Sequence, residues 1–105
     1  MTDKPHEIAR SPHWSAVRTS YLKTHSTCAA CGSREHLEVH HIQPFHLHPE
    51  LELVESNLLT LCESPSHNCH LIFGHLLAWP SWNANVVADA AVYRHKVESR
   101  PNVAA

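Results

Sequence analysis

CAACGSREHLEVHHI, residues 28–42, joins a two-cysteine turn to a short apolar run that ends in adjacent histidines. The spacing Cys28-x2-Cys31 lets two thiolates reach one tetrahedral ion, as in a zinc knuckle. Such a turn needs two further ligands. The other cysteines are Cys62 and Cys69, each where the chain is expected to change element. Six residues (ESPSHN) separate them instead of the usual two to four, so His67 stands as an alternative to one thiolate. A tetrathiolate ion keeps no open position for a reactant. It is therefore expected to act as a structural staple between the knuckle and the next helix.

A chain of 105 residues with 43% hydrophobic content suits one domain with a modest core, which a metal would reinforce. Residues 1–10 are polar and expected to be flexible, residues 11–99 form the domain, and residues 100–105 are a tail. The opening MTDKPHEIARS has neither the apolar core of a signal peptide nor a membrane-spanning run. Reduced thiols in a cytoplasm, that of a bacterial or phage-infected cell, are the corresponding expectation, with no membrane partner. The net charge of −2 does not by itself indicate nucleic-acid binding. It averages over Arg10, Arg18 and Lys23 near the start and Arg94, Lys96 and Arg100 near the end, so local basic surfaces compete with plain solvated helix faces.

The periodicity predicts an order of elements. Ser11-Pro12 suits an N-cap and first-turn proline, and Trp14, Val17, Tyr21 and Leu22 form one helical stripe ending near His25. Leu37–Ile42 suits a strand, Pro44–Pro49 a loop and Leu51–Val54 an extended segment. Asn57–Leu61 is a candidate partner for the first strand. Cys69–Trp79 reads as a second helix with Ile72, Leu76 and Trp79 on one stripe, stopped by Pro80. A third helix from Asn85 is expected to bury Val86, Ala90, Tyr93 and Val97.

With the cysteines set aside, the chain runs His40-His41, then Asn57 in NLLTLC, then Cys69-His70. Together with the knuckle, this order resembles the HNH endonuclease family over roughly residues 28–75. The family pattern has a C-x2-C knuckle, a strand ending in His-His or Asp-His, an asparagine before a leucine-rich step to cysteine, and a Cys-His opening a helix. The departure is the long Cys62–Cys69 gap, where the family form is C-x2-C-H. The resemblance implies an α+β fold: a small ββα-metal core (His-Me finger, treble-clef-like) with flanking N- and C-terminal helices. It also implies cleavage of DNA phosphodiester bonds to 5′-phosphate and 3′-hydroxyl ends. In that carry-over His41 is the general base, His40 and His70 are ligands of a catalytic divalent metal, and Asn57 positions the loop that orients the base. Cys28, Cys31, Cys62 and Cys69 would hold a structural Zn2+.

The residue types suit that chemistry. An imidazole with a pKa near 6.5 can take a proton from water near neutral pH, and a divalent ion can stabilise phosphate charge and the leaving oxygen. Histidine ligands favour Mn2+, Ni2+, Co2+ or Zn2+ over Mg2+, which prefers oxygen. On a regular helix His75 would stand about 140° from His70, so a third-ligand role needs a distortion such as a π-bulge at Gly74. Phosphate contact and plain solvent exposure are its alternatives. Adjacent strand residues point to opposite faces, so His40 and His41 can serve one site only if the strand bends. His46 and His48 fall in a proline-bounded loop as neighbours of the site without an assigned role. Arg18, Lys23, Arg94 and Lys96 are candidate nucleic-acid contacts. No recognition helix is evident, so backbone-dominated binding is expected. Trp79 and Trp82 are assigned to core packing, with base stacking the alternative. Two other function classes compete: a non-catalytic zinc-braced nucleic-acid-binding module, and a histidine-rich metal-storage or pH-sensing protein. Monomer and homodimer both remain open.

Overall fold

A computed structural model describes residues 9–101; the expectations for residues 1–8 and 102–105 lie outside the described residues. The order is helix α1 (Trp14–Thr24), strand β1 (Leu37–His41), strand β2 (Leu58–Cys62), a π-helical turn (His70–Gly74) and helix α2 (Val86–Ser99). Short 3-10 turns at Pro49–Leu51 and Glu55–Asn57 lie between the strands. This is the ββα-metal arrangement with a helix on either side.

The strands pair antiparallel, from Leu37 opposite Cys62 to His41 opposite Leu58. This register hangs the knuckle from one end of the hairpin and the histidine pair from the other. Ala29 N–H donates to the Thr60 carbonyl at 2.8 Å, tying the knuckle to β2. Tyr21, Val39 and Leu58 are buried between α1 and the sheet, flanked by Trp14, Val17 and Leu22. The Tyr21 hydroxyl donates to the Leu58 carbonyl at 3.0 Å. The second core consists of Cys28, Ala30, Leu61, Cys62, Cys69, Val86 and Ala90. Among its members only Leu61 and Val86 are large aliphatics, each worth about 1.5–3 kcal/mol of burial. Cysteines fill much of the rest.

Four local expectations are corrected. Helix α1 starts after His13, not at Ser11-Pro12. The Ser11 N–H is engaged by the buried Glu52 carboxylate at 3.1 Å, and its Oγ accepts from His13 N–H at 3.0 Å. Leu51–Val54 is not extended, because Pro49 opens a 3-10 turn that runs through Leu51. Tyr93 is exposed on α2, its ring resting on Phe73 at 5.0 Å, because only Val86 and Ala90 reach the narrow cysteine-filled core.

The largest departure is the expected helix Cys69–Trp79. It is cut to the π turn, and Leu76 (φ 52°) and Leu77 (φ 71°) then reverse the chain in the left-handed region. A regular helix would use the Phe73 and Gly74 carbonyls for Leu77 and Ala78 N–H groups. Asn83 takes both instead, through its Nδ2 at 2.9 Å and its backbone N–H at 3.0 Å. The Leu77 N–H reaches back to the Leu71 carbonyl at 2.9 Å, a span that a widened turn permits. Two non-glycine residues in this conformation cost on the order of 1–3 kcal/mol each. The segment is held against that strain.

Candidate metal centres and active site

Among the described residues, two groups of side chains could each hold a metal ion: Cys28, Cys31, Cys62 and Cys69; and His40, His70 and His75. Within each group the ligand atoms lie within 4.8 Å of one another.

The cysteine group is reached through two turns. The knuckle closes by Gly32 N–H to the Cys28 carbonyl at 2.9 Å, with Gly32 at φ 83°, where a side chain would be strained. The long insert before Cys69 is taken up by Ser64, Ser66 and Asn68. His67 donates its N–H to the Ser64 carbonyl, and the Asn68 Oδ1 accepts from Leu71 N–H at 3.0 Å. His67 itself is exposed beside Ser66 and outside the sulfur group. Cys31 Sγ and Cys62 Sγ are 3.6 Å apart, close to the roughly 3.8 Å edge of a tetrahedron with 2.3 Å Zn–S bonds. The Cys28 thiol is held well below its ordinary range by a hydrogen bond from the Cys69 thiol, which is driven up in turn. A compact set of four sulfurs, three of them on buried residues, is compatible with structural zinc.

The histidine group is assembled from β1 and the π turn. His40 is 2% exposed and has its Nδ1 3.1 Å from His70 Nε2. Two nitrogens bound to one ion at about 2.1 Å stand about 3.0–3.4 Å apart, so the pair fits a shared cation. His70 Nδ1 donates to the Glu63 carboxylate at 2.8 Å and His75 Nδ1 donates to the Ser81 carbonyl at 2.7 Å. Both bonds leave Nε2 as the free lone pair, the outer support that orients metal-binding histidines. Burial, then the charges of His70, His75 and His41, push the His40 pKa down to about 3, keeping this ring neutral. His40 Nε2 is buried with no hydrogen-bond partner.

The π turn explains how His75 joins a group from which a regular helix would exclude it. Its widened path brings the rings of His70 and His75 to 4.9 Å between centroids, with each 5.0 Å from His40. Gly74 makes the approach possible: a Cβ there would lie 2.9 Å from His40 Cε1 and 3.0 Å from its Nδ1. Gly74→Ala is therefore expected to weaken metal binding at the histidines by about 10–100-fold, the range for disturbed ligand support. Metal at the four cysteines should be unaffected. Metal titration followed by elemental analysis checks both halves.

His41 ends β1, and the chain bends at Ile42 and Gln43. The bend falls beyond both histidines, and His40 and His41 nevertheless line one cavity of about 400 Å³ with His70, His75, Phe45 and Arg10. His41 Nε2 donates to the Glu52 carbonyl at 2.9 Å, leaving Nδ1 as the acceptor. Trp14 packs on the ring at 4.6 Å. Burial is the main force holding the His41 pKa below its ordinary value; the Glu52 carbonyl opposes it and the Arg10 charge adds to it. Asn57 is buried at the foot of the same loop. Its Oδ1 accepts from Gln43 N–H at 2.7 Å, and its Nδ2 donates to the Gln43 and Leu51 carbonyls at 3.1 and 3.3 Å. It clamps the two ends of the loop that delivers the Glu52 carbonyl to His41.

The sequence-derived basic candidates are dispersed. Arg18 bonds Glu38 at 3.0 Å, and Arg94 bonds Glu98 at 3.0 Å and the Cys28 carbonyl at 3.1 Å. Lys23 and Lys96 are exposed in the last turns of α1 and α2. None of the four lines the histidine cavity; Arg10 does, over the Phe45 ring at 4.4 Å and 3.7 Å from the Glu52 carboxylate. His46 also lines the cavity, whereas His48 pairs with Glu50 at 3.2 Å. Trp79 is not a core residue: it is 49% exposed, its ring at 5.2 and 4.9 Å from His70 and His75. Arg10, Glu52 and Glu63 carry no spacing signal, since each reaches the site through the path of the folded chain.

No curated protein and no solved structure matches this chain. Residues 28–73 match the family model described as HNH endonuclease, a span from the first knuckle cysteine into the π turn that contains all four cysteines and His40, His41, Asn57 and His70. That match, the four clustered cysteines and the ββα-metal arrangement together make residues 28–73 similar to the HNH endonuclease family.

Proposed function

We propose that this chain is a metal-dependent endonuclease that hydrolyses DNA phosphodiester bonds, leaving 5′-phosphate and 3′-hydroxyl ends. One observation carries the reading. A histidine with one ring nitrogen committed to a backbone carbonyl shares a cavity with three histidines able to hold one ion.

His41 is the general base. Its Nε2–H stays on the Glu52 carbonyl, so Nδ1 takes the proton from the attacking water, and the carbonyl then stabilises the imidazolium. Asn57 is a positioning residue that keeps this carbonyl in place. His40, His70 and His75 would hold the catalytic metal, with Glu63 and Ser81 fixing two of the rings. When bound, a divalent ion supplies Lewis-acid stabilisation of the phosphate charge and of the departing 3′-oxygen. Imidazole ligands suit Mn2+, Ni2+, Co2+ or Zn2+ better than Mg2+. Arg10 offers the phosphate a guanidinium within the cavity. The four cysteines would hold structural Zn2+ and take no part in the chemistry. A reducing cytoplasm is the setting in which those thiols remain available. No helix among the described residues is long and apolar enough to cross a membrane.

A metal series on supercoiled plasmid tests the proposal. Cutting with Mn2+ or Ni2+ that stops when the ion is chelated is the expected result. Retention of DNA without turnover under every divalent ion would leave a binding module instead.

A pH profile tests His41 more closely. The base must be neutral, so kcat/KM should rise with unit slope at acid pH and bend to a plateau with its midpoint below the ordinary histidine value, since burial holds the folded pKa down. Arg10→Ala removes a neighbouring positive charge, so the bend should move to higher pH. An unmoved bend would remove Arg10 as a cause of the shift.

A further inference from the structure

The segment that follows the π turn builds an aromatic wall beside the histidines. Leu76 and Leu77 adopt the left-handed conformation one after the other, and the chain folds back so that Ser81 reaches His75 and Asn83 reaches Phe73 and Gly74. What this strained reversal achieves is the placement of Trp79. The indole sits against His70 and His75 with half its surface open, and Trp82 and Phe45 line the same cavity. A volume of about 400 Å³ is that of a small-ligand pocket and can admit a single nucleotide.

Charge points the same way. Proteins that track a duplex backbone carry a stripe of lysines and arginines along the contact. Here Arg10 is the one arginine or lysine among the described residues lining the cavity, while Arg18 and Arg94 are tied to carboxylates elsewhere. With one guanidinium for phosphate contact, the cavity must draw the rest of its binding energy from elsewhere. Stacking on aromatic side chains supplies it for unpaired bases, whatever their sequence, because every base has a π-face. A base inside an intact duplex cannot present that face.

We propose that the cavity formed by Trp79, Trp82 and Phe45 is a subsite for an unpaired nucleobase adjacent to the scissile phosphate. The preferred substrate is accordingly single-stranded or locally unpaired nucleic acid rather than continuous duplex. Trp79 is a binding and specificity residue in this scheme. The proposal rests on the nuclease reading for the word scissile, but the binding it asserts does not require cleavage.

The test uses the full chain without added divalent metal, titrated with a fluorescently labelled oligothymidylate and with a blunt duplex containing that strand. The single strand is expected to bind at least tenfold more tightly and to quench tryptophan emission. Trp79→Ala should lose about tenfold or more of the single-strand affinity, as for removal of one stacking platform. Trp79→Phe should retain most of the affinity and lose much of the quenching. Equal affinity for strand and duplex would overturn the proposal, and so would a Trp79→Ala protein that binds the strand as the wild type does. The wild-type comparison stands even if a variant folds poorly. Plasmid cutting then separates the two readings: binding of the strand with no cutting under any metal defeats only the nuclease, and duplex cutting with no strand preference defeats only the subsite.

Discussion

His41→Ala is expected to lower plasmid cleavage by about 10²–10⁴-fold, the usual contribution of a positioned general base, while leaving a folded, metal-loaded protein. The side chain is placed by one hydrogen bond to the Glu52 carbonyl and by contact with Trp14, and neither bond belongs to the cysteine core. Circular dichroism and metal content should therefore match the wild type. Asn57→Ala should reach a similar loss by a different route. It removes three hydrogen bonds that brace the loop between Gln43 and Leu51, and the Glu52 carbonyl would drift from His41 Nε2. The two variants separate in their pH profiles. His41→Ala abolishes the acid limb, whereas Asn57→Ala keeps it on a lower plateau. Unchanged cutting by a folded His41→Ala protein would end the assignment of the base.

Cys69→Ser is expected to abolish cooperative folding. The core that joins the knuckle, β2 and the π turn is made of small residues and cysteines, with Leu61 and Val86 its only fully buried large aliphatics. Structural zinc contributes about 10–16 kcal/mol in comparable small sites, as much as the whole net stability of a typical domain. Loss of one thiolate also leaves the π turn unanchored, because Cys69 immediately precedes His70. Thermal melts with zinc analysis should show less than one tightly held ion and no sharp transition. A cooperative melt close to the wild type with zinc retained would show that the sulfurs are not the staple. Failure here would leave the His41 prediction standing, because the two sites share no ligand.

How far the fold could be read from the chain depends on how local each signal is. Cys28-x2-Cys31 and His40-His41 are neighbours in sequence, and their chemistry follows from spacing alone. The apolar stripe of α1 was equally legible, since Trp14, Val17, Tyr21 and Leu22 meet one face of the sheet and nothing competes for them. The segment after Cys69 misled for a physical reason. Ile72, Leu76 and Trp79 have helical spacing, yet Asn83 captures the carbonyls that the helix would need, and that partner lies ten residues from Phe73. Pattern counting has no access to such a contact. The six-residue insert left the fourth sulfur ligand open against His67 until its turn was seen to bring Cys69 beside Cys28, Cys31 and Cys62.

The sequence by itself determined the inventory: four cysteines in an order that suits one ion, a histidine pair at a strand end, an asparagine before the returning strand, and a Cys-His step. These depend on residue type and short spacing, which local chain geometry preserves. Only the tertiary structure decided that His75 stands with His40 and His70, because a π turn at Gly74 replaces the helix that would have separated them. It likewise decided that Arg10, Glu52 and Glu63 surround the histidines and that Trp79 faces the cavity instead of the core. Each of those placements depends on the path of a turn or on packing between elements, where the energy of packing rather than residue spacing selects the conformation.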